Sequence, residues 1–149
     1  MRTLSPLRRL AAPFLFAAAL LAAAGAARAS DLVVIVSARS QVGALRPDQV
    51  AAIFLGQMPR FPDGLEAVPL DQHLGSPLRD EFYARVTGKT APLLKAYWSK
   101  MVFTGRGQPP GEAADSNAVR RRVAENPELI GYIERSALDA SVRPVLVIQ

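Results

Sequence analysis

The sequence predicts an α/β fold in which a mixed sheet is flanked by helices. Three observations carry that reading. Leu32-Val33-Val34-Ile35-Val36 is an unbroken apolar run, mostly β-branched, the pattern of a strand buried on both faces within a covered, partly parallel sheet. Helix-period segments with explicit start and stop residues follow between residues 47 and 125. Two further apolar runs, Leu129-Ile130-Gly131-Tyr132-Ile133 and Val145-Leu146-Val147-Ile148, close the chain, so the order reads β-α-β-α-α-α-β-β.

Each element has a local cause. After the polar loop Ser37 to Gly43, Pro47 opens a helix that places Val50, Ile53 and Phe54 near helical spacing and stops at Gly56. Gln57 to Gly64 carries Pro59, Pro62 and Asp63-Gly64, which is turn chemistry. Ala67-Val68-Pro69-Leu70 is a short strand that Pro69 confines to an edge or a strand end. Ser76 as N-cap and Pro77 as first helical residue open the next helix, whose apolar face is Leu78, Phe82, Tyr83 and Val86 and whose stop is Gly88. Thr90 is placed to cap a helix to about Phe103, with Leu93, Leu94, Tyr97, Trp98, Met101 and Val102 at helical spacing. Thr104 to Gly111 cannot be regular structure, and Asp115 or Ser116 caps a short helix through Val119 and Val123 that ends at Asn126-Pro127.

The 149 residues, with 18 Lys+Arg against 13 Asp+Glu, give a formal charge of +5. Four of the basic residues (Arg2, Arg8, Arg9, Arg28) lie in residues 1–29, which hold no acid, so 30–149 is nearly neutral and the charge is no footprint for nucleic acid. Residues 1–29 read as a secretory signal peptide, with a basic start, an apolar run from Leu10 to Ala24 and a small-x-small site at Ala27-Arg28-Ala29. A membrane anchor is the rival, but the run is short and rich in Ala. Cleavage would start the chain at Ser30 or Asp31, in the periplasm of a bacterium, leaving one domain over 30–149. Zero Cys excludes a disulfide scaffold, thiolate catalysis and a lipoprotein anchor, and one His excludes a multi-histidine metal site within one chain.

The residues with chemistry concentrate in Asp71-Gln72-His73-Leu74-Gly75-Ser76-Pro77-Leu78-Arg79. A helix start presents free N–H groups and the positive end of its dipole to an anion. Ser76 adds a hydroxyl and Arg79 a forked cation. Plain capping, with Arg79 paired to Asp80 or another surface acid, explains the same residues. Asp71, His73 and Ser76 lie too close together in sequence for a hydrolytic triad, and Ser76 lacks the glycines of a nucleophile elbow. Asp71 and His73 alone make no metal site, and no cofactor is implied. Thr104 to Pro110 lacks the lysine of a phosphate-cradling loop, so it reads as a rigid connection or as the lining of a binding surface flanked by Lys100 and Arg106. Arg120-Arg121-Arg122 reads as a solvated helix face, and Tyr97, Trp98 and Phe103 as core.

The ordered set carries a resemblance. Leu45 to Gly56, the Gly75-Ser76-Pro77-Leu78-Arg79 turn, Tyr97-Trp98, Phe103-Thr104-Gly105, Pro109-Pro110, and Asn126-Pro127 followed by Ile130-Gly131-Tyr132-Ile133 resemble phosphate-type periplasmic substrate-binding proteins, above all short ones described as phosphate ABC transporter substrate-binding proteins. The resemblance covers about 32–149 and only one lobe of a two-lobed fold. It implies a periplasmic-binding-protein-like, non-enzymatic domain that binds phosphate or a related oxyanion through Gly75, Ser76, Leu78, Arg79 and Gln72, in the service of an ABC-type transport system. Pro77 and Leu78 replace the family's Gly-Thr pair, and Gln72 stands where the family can place an anion-binding Arg. The missing half-cleft would come from a homodimer or another protein. The alternative it leaves open is a one-lobe interaction or sensory module that contacts a membrane transporter, porin or sensor kinase without a small ligand.

Overall fold

The computed structural model describes residues 31–149; the expected leader and its cleavage site lie outside the described residues. Five strands and four helices follow in the order β1 (Leu32–Ser37), α1 (Pro47–Phe54), β2 (Val68–Gln72), α2 (Pro77–Thr87), α3 (Ala91–Phe103), β3 (Gly111–Ala113), α4 (Ser116–Glu125), β4 (Leu129–Glu134) and β5 (Val142–Ile148), with a 3-10 turn at Arg135–Ala137. The sheet order is β3-β2-β4-β1-β5. β2 runs parallel to β3 and β4, while β1 is antiparallel to both β4 and β5.

The alternation of β1 explains its unbroken apolar run. Leu32, Val34 and Val36 enter a large core on one face with α1, α2 and α3, and Val33 and Ile35 enter a smaller core on the other face with α4. The large core is aromatic: Phe82 stacks on Tyr132 at 3.8 Å between ring centroids, and Phe54 meets Phe82 edge-on at 4.8 Å. The small core is aliphatic and tight. A Cβ on Gly131 would lie 2.5 Å from Val119 Cγ1, so the glycine lets α4 rest directly on β4.

β1 is buried on both faces of a covered, partly parallel sheet as expected, although its own two neighbours are antiparallel. Several expectations are corrected. Gly111 belongs to a regular element, the three-residue strand β3, whose parallel pairing with β2 adds a strand absent from the predicted order. That pairing begins only at Leu70, so Pro69 keeps one side of β2 unpaired near the strand's start, as expected. β5 starts at Val142 and carries Pro144 within it, which an edge strand tolerates. Thr90 takes the N-cap position of α3 without a side-chain capping bond, whereas Ser76 and Asp115 do cap, accepting from the N–H groups of Arg79 and Ala118. Phe103 is not core. Tyr97 and Trp98 pack inward, but Phe103 falls at the last turn of α3 on the side away from Leu94 and Trp98 and is 91 % exposed.

Candidate ligand-binding site

Parallel strands end on the same side, so the carboxyl ends of β2, β3 and β4 come together. A cavity of about 530 Å³ opens there, lined among others by Gln72 at the end of β2 and His73 after it, Ala114 after β3 and Glu134 at the end of β4. The first turns of two helices complete it: Ser76, Pro77 and Leu78 from α2, and Asp115, Ser116 and Asn117 from α4. The opening N–H groups of a helix lack intrahelical acceptors. Ser76 Oγ takes the N–H of Arg79 at 3.4 Å and Asp115 Oδ1 that of Ala118 at 2.8 Å, so the capping bonds fall on the third residue of each helix. The N–H groups of Leu78 and Asn117 come before them. Pro77 contributes none. Gly75 makes the bend that brings the turn round, at a φ of +88° that L side chains rarely adopt.

Gln72 ties the start of α4 to β4. It is buried, and its Nε2 donates to Ser116 Oγ at 3.0 Å and to the Tyr132 carbonyl at 3.3 Å. Ser116 Oγ also accepts the N–H of Glu134 at 3.3 Å, so the hydroxyl has two donors directed at it and its own proton left to give.

Arg79 is placed elsewhere. It does not line the cavity; it turns beneath the helix, donates from Nε to Asp71 Oδ2 at 3.1 Å, and lies 5.1 Å from the centroid of the Tyr83 ring. Its partner is a carboxylate with 1 % exposure and not a surface acid. Asp71 also accepts from Tyr83 Oη at 2.8 Å, from its neighbour's backbone, Gln72 N, at 2.9 Å, and through a short bond from the Tyr132 hydroxyl. Burial pushes the Asp71 carboxyl above its ordinary range against the pull of Tyr132, Arg79 and Tyr83. Burial first, then the adjacent Asp71 charge, raises both tyrosine hydroxyls well above theirs. Burial opposes the Arg79 charge, but Asp71 and the two tyrosines outweigh it, and its pKa is raised.

Of the residues singled out in sequence, Gln72, Ser76 and Leu78 thus meet at the cavity wall, Gly75 shapes the turn, and Arg79 belongs to the core beneath it. Asp71, His73 and Ser76 hydrogen-bond to different groups and form no relay. Ser116, Asn117, Tyr83 and Tyr132 did not emerge from the sequence as site residues. A capped α4 start was visible for the first two; nothing local marks the tyrosines, which reach Asp71 from 12 and 61 residues away. The cavity's ionisable lining is Glu81, Asp115, Glu134 and His73, with no Lys or Arg. Glu81 is paired with Arg85 at 2.9 Å.

Comparison with known proteins gives the fold a context. No family model and no curated protein sequence matches the chain. Solved structures do. A protein described as a phosphate ABC transporter substrate-binding protein with bound phosphate, from Clostridium perfringens, superposes with a TM-score of 0.61 at 24% identity over 78% of this chain and 44% of its own. An ABC-type phosphate transport receptor from Vibrio cholerae gives 0.60 at 16% identity, over 78% and 45%. PstS from Borrelia burgdorferi gives 0.57 at 13% identity, over 78% and 46%. The chain spans less than half the length of these proteins, and the likeness is one of fold: a single lobe of the periplasmic-binding-protein-like architecture.

Proposed function

We propose that this chain is an exported, non-enzymatic, one-lobe solute-binding-like module that holds phosphate or a related oxyanion between the starts of α2 and α4. One observation carries the proposal: two helix N-termini open on one cavity at the carboxyl ends of three parallel strands, where ligands of open α/β sheets bind. The Leu78 and Asn117 N–H groups and the hydroxyls of Ser76 and Ser116 are the contacts, with Gln72 fixing Ser116. Gly75 sets the approach. Arg79 acts as a buried positive charge under the turn and Asp71 as its counter-ion. The phosphate named for the Clostridium perfringens neighbour, and the transport role named for that neighbour and the Vibrio cholerae one, support the ligand class, a periplasmic site and an ABC-type transporter as membrane partner.

The carboxylates of the wall set a condition on that ligand. A fully deprotonated oxyanion meets Asp115 and Glu134, with Glu81 in its pair with Arg85, and no Lys or Arg lines the cavity. Monohydrogen phosphate has an O–H to donate to one of these carboxylates; sulfate at neutral pH has none. Calorimetry on the chain purified after export behind its own leader should therefore give saturable heat with phosphate and little with sulfate. Ser116→Ala should weaken phosphate several-fold. Absence of both heat and thermal stabilisation at about 10 mM phosphate would sink the proposal. The acid-lined wall favours the second reading in that event: an interaction or sensory module that contacts a transporter, porin or sensor kinase through the same half-cleft. Light scattering on the same sample shows whether a second copy supplies the other half.

A further inference from the structure

The charge of the folded domain is segregated. Residues 82–111 contain five basic side chains and no carboxylate, which leaves nine basic against thirteen acidic side chains in the rest of 31–149. Arg85 is paired with Glu81. Lys89, Lys95, Lys100 and Arg106 make no ion pair among the described residues; Lys89 lies 5.2 Å from the centroid of the Tyr97 ring. All four stand on or beside α3.

The same helix shows an outward apolar stripe. α3 buries only Leu94 and Trp98, with Tyr97 and Met101 partly covered. At 100° per residue, Leu93, Ala96, Lys100 and Phe103 fall within an arc of about 80° on the far side, along about 15 Å of helix. Leu93 is 57 % and Phe103 91 % exposed. An exposed Phe and Leu set among lysines with no neutralising acid is the composition of a helix that lies in the headgroup layer of an anionic bilayer: the rings and branches enter the acyl boundary while the ammonium groups reach phosphates. No helix among the described residues is long and apolar enough to cross a membrane, so the contact is with its surface.

We infer that the outer face of α3, with Lys89 and Arg106 at its ends, docks this domain onto an anionic phospholipid surface. A second copy is the poorer occupant: of the three carboxylates round its cavity, Glu81 is paired with Arg85 and Asp115 caps α4, so among them Glu134 alone would face several ammonium groups.

The test is flotation of the exported, purified chain with vesicles of phosphatidylcholine containing about 30% phosphatidylglycerol, against phosphatidylcholine alone. Binding is expected on the anionic vesicles only and should fade as salt is raised from about 0.05 M to 0.5 M. Joint Lys95→Glu and Lys100→Glu should weaken it by about tenfold or more, and Phe103→Ser several-fold, with unchanged melting because these side chains are exposed. Joint Arg121→Glu and Arg122→Glu makes the same change of charge on α4 and should leave binding intact. Equal binding to neutral vesicles, equal loss in the α4 control, or indifference to Phe103→Ser would overturn the inference. No vesicle binding at all would overturn it in favour of an acidic protein surface.

Discussion

Asp71 and Gln72 are neighbours on β2 and serve opposite faces of the sheet. Asp71 turns into the thick, aromatic layer, where Tyr83, Tyr132 and Arg79 close round it. Gln72 turns toward the thin, aliphatic layer, where it meets Ser116 at the start of α4 and stands at the cavity wall. One residue's polarity is consumed by the fold, the other's is passed outward to a surface. Polar character at a strand end therefore says nothing about function until its face is known, and the period of two along a strand decides the face.

The sharpest way to break that contrast is to remove each side chain in turn. Asp71→Ala strands a buried guanidinium and two phenolic hydroxyls and should cost about 3–5 kcal/mol in urea denaturation. Gln72→Ala should cost about 1–2 kcal/mol, the worth of its two hydrogen bonds, and act chiefly on ligand affinity. Equal losses would erase the distinction. The tightness of the thin layer is tested next. Gly131→Ala should destabilise by about 1–3 kcal/mol, because the added methyl meets a stiff valine on α4. The smallest effect expected is that of Tyr83→Phe, about 1 kcal/mol at neutral pH.

Alkaline pH narrows that last difference and then reverses it. Below the ordinary tyrosine pKa of 10.0, folded and unfolded chains both hold the Tyr83 and Tyr132 protons. Above it the unfolded chain releases them and the folded chain does not, so stability falls by about 1.4 kcal/mol per pH unit for each tyrosine. Denaturation at about pH 9 and pH 11 should show that slope. Tyr83→Phe should flatten it by one tyrosine's share, and an unchanged slope would show that the folded chain does not hold the Tyr83 proton against release.

Much of the fold is legible because its causes are local. Ser76-Pro77, Gly88 and Asn126-Pro127 act on the residues beside them, and the helices begin and end there. β3 escapes because three residues, two of them exposed, after Pro109-Pro110 carry no period. The direction of β1 escapes because burial on two faces records what lies above and below a strand and not which way its neighbours run. The site divides likewise. A helix start rich in anion-binding groups can be read from Gly75 to Arg79, but the destination of Arg79 depends on Asp71 being buried beneath tyrosines that are distant in sequence, one of them 61 residues away. Phe103 shows the converse error: helical spacing identifies a face, and only packing shows whether anything covers it.

The outer border of the sheet at β5 has a consequence for assembly. Opposite the register shift between Val34 and Ile35, Val145 offers its carbonyl to Leu45 N at 2.9 Å. Arg143 holds the carbonyls of Ser40 and Val42 on the same loop. Pro144, between them, has no N–H to offer. An extended peptide or another protomer seeking to lengthen the sheet at this border must first displace residues 40–45 and then meet an imino acid. Strand addition is thereby steered to the opposite border, where β3 presents only three residues, and the domain is guarded at both ends against the edge-to-edge stacking that turns soluble sheets into fibres.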